Sequence, residues 1–115
     1  MKYMLLLYRD ESRFKTPSDE ISAPYIAYTQ ALAGAGVLAG GDRLQSVEMS
    51  STVRQVKGET TVLDGPYADS KEQLGGYYII DVPDLDSALQ WAARCPGAAE
   101  GSVEVRPLWS MPKPK

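Results

Sequence analysis

Histidine is absent from this chain of 115 residues, and cysteine occurs once, at Cys95. Histidine is the usual acid/base group near neutral pH and the commonest metal ligand. Its absence excludes Ser-His-Asp and Cys-His catalysis and the ordinary zinc sites. Proton chemistry would have to use carboxylates, tyrosines, lysines or Cys95. A lone cysteine closes no internal disulfide, so secretion gains no support and a reducing cytoplasm is the expected location. The net charge is −3 and no basic block occurs, which argues against a nucleic-acid partner. No run reaches the roughly 20 apolar residues that a membrane helix requires. The opening residues 1–10 carry too short an apolar run for a signal peptide, and charges follow at once.

What is present is ordinary for a globular protein: 43% hydrophobic and 23% charged residues. The length fits a single domain over residues 1–115. Residues 2–8 read as a first strand, and residues 10–17 as a polar loop. A first helix is expected over residues 18–33, its regular part starting near Ser22 because Pro24 fits only a first turn. Tyr25, Tyr28, Thr29 and Leu32 then share one face, and Gly34 and Gly36 stop the helix. Residues 37–44 read as a second strand, loosened by Gly40-Gly41 into a bulge.

Residues 52–57 and 59–64 form a hairpin about Gly58. A turn-rich stretch over residues 64–70 precedes a strand over residues 76–82. Asp84 is placed to cap a second helix, with Leu85, Ala88, Leu89 and Ala92 as its apolar stripe and Cys95-Pro96-Gly97 as its end. Residues 102–108 form the last strand.

Strand, helix, strand, hairpin, strand, helix, strand is the α+β plan of a ferredoxin-like split βαβ fold. Both helices then cover one face of an antiparallel sheet. Yet Met4, Leu6 and Tyr8 oppose Tyr3, Leu5 and Leu7, so the first strand is apolar on both sides. Such strands call for cover on both faces. Roughly 500 Å² of exposed apolar surface would be unusual for a monomer. A homodimer packed sheet to sheet is the expectation.

Several patterns invite chemistry and yield to blander readings. The glycines at 34, 36, 40 and 41 follow a helix, whereas a phosphate loop joins a strand to a helix N-terminus. Asp81, Asp84 and Asp86 lack the glycine and distal glutamate of a calcium loop. No cofactor or metal is therefore expected. Cys95 at a helix C-terminus is a poor thiolate, and Trp91 and Trp109 read as packing residues. Asp42 and Arg43 read first as a surface ion pair, or as the lining of a cleft between sheet and helices. Arg9 and Arg106 sit on strands, where either could meet an anionic ligand. Asp64 with Tyr67, Ser70 and Lys71 could form a ligand anchor, with Asp64 as candidate general base. The blander reading, a turn fixed by Asp64-Gly65-Pro66, is favoured.

The run Val62-Leu63-Asp64-Gly65-Pro66-Tyr67 through Gly75-Gly76-Tyr77-Tyr78 resembles the DGPF segment of YCII-related proteins, with Tyr67 in place of phenylalanine. Met1 to Leu6, Asp84-Leu85-Asp86, Trp91-Ala92-Ala93 and residues 101–107 extend the resemblance over most of the chain. It implies a dimeric α/β barrel. Related YCII proteins are suspected enzymes with a His-Asp pair, which a chain without histidine cannot carry. Two functions stay open. One is a small-molecule-binding or accessory dimer for an aromatic or anionic ligand. The other is a lyase or isomerase of a small metabolite, aromatic ones included, using Asp64 with a tyrosine or Arg43.

Overall fold

The computed structural model describes residues 1–10, 23–66 and 70–110. In chain order the elements are β1 (Lys2–Arg9), α1 (Ala23–Gly34), β2 (Leu38–Arg43), β3 (Ser51–Val56), β4 (Glu59–Asp64), β5 (Gln73–Asp81), α2 (Leu85–Arg94), α3 (Gly97–Glu100) and β6 (Ser102–Pro107). The main sheet runs β2-β5-β1-β6 with every neighbouring pair antiparallel. β1 and β2 are thus parallel but separated by β5, which is the split βαβ arrangement of a ferredoxin-like fold. The β3–β4 hairpin stands as its own two-stranded sheet. No described helix is long and apolar enough to cross a membrane.

Alternation along β1 sets the layers. Tyr3 and Leu5 are buried with Ile80 and Val82 of the β5 end, against Tyr28 and Leu32 of α1 and Ala88, Ala92 and Cys95 of the α2 end. Leu5, Leu32 and Ile80 are fully buried, each contributing about 1.5–3 kcal/mol by leaving water. The Tyr28 hydroxyl donates to the Trp91 carbonyl at 2.7 Å, tying α1 to α2. Its ring meets Tyr78 and Trp91 edge-on, with centroids 5.4 and 6.3 Å away. The Arg94 guanidinium covers Trp91 at 4.3 Å.

Helix ends follow the capping residues. Gly36, at φ +73°, closes α1. Its N–H reaches the Ala33 carbonyl, and the Val37 N–H reaches Leu32, a Schellman pair. The Asp84 carboxylate accepts the Ser87 N–H at 2.9 Å and starts α2. That bond holds the Asp84 carboxyl below the usual range.

Some expectations need correction. β5 starts at Gln73 rather than 76, because Gln73 and Leu74 pair with Arg9 and Tyr8 of β1. Both β2 and β5 end one residue short of the expected strands, at Arg43 and Asp81. Leu85 and Leu89 are half-exposed flanks; only Ala88 and Ala92 of that stripe are buried. α2 does end at Cys95 as expected, but a further short helix, α3, follows Pro96 at once. Trp109, read as a packing residue, is 87% exposed. Residues 18–22, the expected first turns of α1, lie outside the described residues.

Candidate functional site

A cavity of about 290 Å³ opens between α1 and the sheet. One wall is the side of α1 that carries Tyr25, Ile26 and Thr29. The opposite wall is the end of β1, with Leu7, Tyr8 and Arg9, beside the adjoining ends of β2 and β5. Gly97 and Glu100 of α3 close one side.

The hollow exists because side chains are missing where backbones crowd. Gly41, Gly75, Gly76 and Gly97 all line it. A Cβ on Gly41 would stand 2.8 Å from the Tyr77 carbonyl oxygen and 3.0 Å from the Tyr78 ring. One on Gly75 would meet Arg9 Nε at 3.0 Å, and one on Gly97 the Tyr25 hydroxyl at 3.0 Å. The Arg9 guanidinium therefore lies directly over the bare backbone at Gly75. A register shift between Leu7 and Tyr8 marks the bulge beside it. Bulges beside a site re-aim the side chains that follow them.

Hydroxyls dominate the polar lining. The Thr29 hydroxyl donates to the Tyr25 carbonyl at 2.9 Å and lies 2.8 Å from the Tyr78 hydroxyl. Tyr77 donates to Asp42 Oδ2 at 2.8 Å, and this bond raises the phenol's pKa. Burial, with Cys95 and Glu100 adding to it, pushes Tyr25 up to about 12. Burial likewise raises Tyr78. At neutral pH these walls are uncharged phenols. Of the charged groups that line the cavity, Asp42, Arg43 and Glu100 are exposed, and Arg9 is half-buried with its Nε atom shielded from solvent.

Of the residues the sequence singled out, Arg9, Asp42 and Arg43 line this cavity. Asp64 does not: it ends β4 opposite Ser51 and is exposed. The adjoining turn is held by Gly65, at φ +121°, whose N–H reaches the Ser50 carbonyl at 2.7 Å. The Thr52 hydroxyl adds a bond to the Gly65 carbonyl at 2.9 Å. Ser70 donates to the Glu72 carbonyl at 2.7 Å, and Lys71 is exposed; neither lines the cavity. Tyr67 lies outside the described residues. Cys95 is buried, and burial raises its thiol. Arg106 donates instead to the Glu104 carboxylate. Asp42, read first as one half of an ion pair, takes the Tyr77 hydroxyl. Among the described residues no cluster suits a metal ion.

Sequence reasoning missed Thr29 and Tyr78 as site residues, having read them as packing faces. The available signal was a hydroxyl-tipped residue on each of two core-facing stripes, beside the glycine pair at 75 and 76.

Similarity to known proteins extends over nearly the whole chain. An uncharacterized protein of Rhizobium meliloti (strain 1021) is 40% identical over 114 residues, covering 94% of this chain and 92% of the relative. Residues 1–112 match the family model of the YCII-related domain, and with that match the chain belongs to the YCII-related family.

Proposed function

We propose that the protein is a homodimeric binding or accessory protein whose α1–sheet cleft holds a small organic anion with an apolar body. The observation that carries this reading is Arg9: the most buried charge of the lining is a guanidinium lying over bare backbone. Guanidinium forks suit carboxylate geometry, and a second cation, Arg43, stands on the same wall. Leu7, Ile26 and Tyr25 offer the apolar body its contacts. Proton transfer would need a buried base, yet the phenols of the wall stay protonated and the two carboxylates of the lining, Asp42 and Glu100, are exposed, Asp42 already accepting the Tyr77 hydroxyl. The carboxylate singled out for that role, Asp64, stands outside the lining. Binding without catalysis is therefore the better supported reading.

Calorimetry with phenylacetate and its neutral counterpart 2-phenylethanol tests it. Phenylacetate should bind at micromolar to millimolar concentration and the alcohol at least about tenfold more weakly, a difference of about 1.4 kcal/mol. Arg43→Gln and Arg9→Gln should each erase the difference, while Asp64→Asn should leave it intact. Equal affinity for acid and alcohol would defeat the anion reading.

A further inference from the structure

We infer that the cleft selects anions carrying a hydroxyl or amino group at the end away from the arginines, and that Tyr78 reads that group as a hydrogen-bond acceptor. This rests on the binding reading above. It follows from counting protons. The Thr29 hydroxyl has one proton, and that proton goes to the Tyr25 carbonyl one turn back along α1, at 2.9 Å. In the 2.8 Å contact between Thr29 and Tyr78, threonine must then accept and the phenol must donate. The single proton of Tyr78 is thereby committed to the wall. What the phenol retains for a ligand is a lone pair.

The spacing suits one small molecule. Arg9 lies over Gly75, Arg43 pairs across the sheet with Gly76, and Tyr78 follows two residues further along β5. Two strand residues span about 7 Å. That is the reach of one compact body between an acid group and a donor. A ligand with an ether or carbonyl at the inner end would set lone pair against lone pair. One with a bare C–H there would leave the phenol oxygen unanswered.

Calorimetry with 4-hydroxyphenylacetate, phenylacetate and 4-methoxyphenylacetate tests this. Wild-type protein should bind the hydroxy acid about five- to tenfold more tightly than phenylacetate, as one neutral hydrogen bond allows, and the methoxy acid most weakly. In Tyr78→Phe, which keeps the ring against Tyr28, the preference should vanish with phenylacetate affinity retained. Thr29→Val should release the phenol's proton, so that the methoxy acid gains affinity. Circular dichroism checks that both variants fold. Hydroxy and unsubstituted acids binding alike, or a preference that survives Tyr78→Phe, would overturn the inference while sparing the anion reading. If none of the three binds at millimolar concentration, the binding reading falls, and this inference falls with it.

Discussion

At the scale of single residues, the phenols tie the cleft to pH. Tyr25, Tyr28 and Tyr78 all have raised pKa values, with burial the largest cause in each. A raised pKa means that the fold favours the protonated phenol. The stabilisation is complete below the unfolded value of about 10 and is lost as pH climbs through the folded values. The melting temperature should hold steady up to pH 10 and fall between 10 and 12. Absorbance at 295 nm from these phenols should rise above pH 10, together with loss of the far-ultraviolet dichroism. A single smooth rise centred near 10, with the fold intact, would show that these rings are open to water. The favoured reading of Asp64-Gly65-Pro66 as a turn agrees with the structure, where Gly65 and Thr52 hold that turn. Arg9 was likewise legible as a charge on the same side of β1 as Leu5 and Leu7.

At the scale of elements, periodicity and caps were enough for most of the fold. The alternation of β1, the Asp84 cap and the Gly36 stop all depend on neighbours close in sequence, and each formed as expected. The cavity was not legible because it depends on register between distant strands. Gly41 matters only since β2 lies beside Tyr77 and Tyr78 of β5. Gly97 matters only since α3 faces Tyr25 and Leu7. The same distance in sequence hides Gly101, which links α3 to β6. A Cβ there would run into the Tyr8 carbonyl oxygen, a backbone atom with little freedom to retreat. Gly101→Ala should therefore destabilise the protein by about 1–3 kcal/mol, the usual penalty for overpacking. Urea unfolding measures it, and an unchanged midpoint would mean that β1 and α3 lie further apart than described.

At the scale of the molecule, the central question is what covers the second face and the hairpin. Among the described residues, helices cover only the side of the sheet that carries Tyr3, Leu5 and Ile80. Met4, Leu6 and Ile79 on the other side are partly open. Every residue of β4 is exposed, Val62 and Leu63 among them. An isolated two-stranded hairpin is at best marginally stable in water. The radius of gyration, 16.2 Å, exceeds the roughly 13 Å of a compact chain of this length. All three features fit a subunit whose missing layer is a second copy, packed sheet to sheet with the hairpin braced against it. A stable interface needs about 800 Å² per partner, and a two-faced sheet with an apolar arm can offer that. Sedimentation of the wild-type protein at micromolar concentration should give a dimer. Leu6→Glu, opposite Tyr77 and Glu104 on the uncovered face, should give a folded monomer, because a second carboxylate buried beside Glu104 would have to share the Arg106 guanidinium that Glu104 already holds. Far-ultraviolet dichroism separates dissociation from unfolding. A wild-type protein that stays monomeric at tens of micromolar would leave the second face to water and remove the case for a partner copy. A Leu6→Glu dimer as tight as wild type would keep the dimer but move its contact off this face, to the hairpin alone.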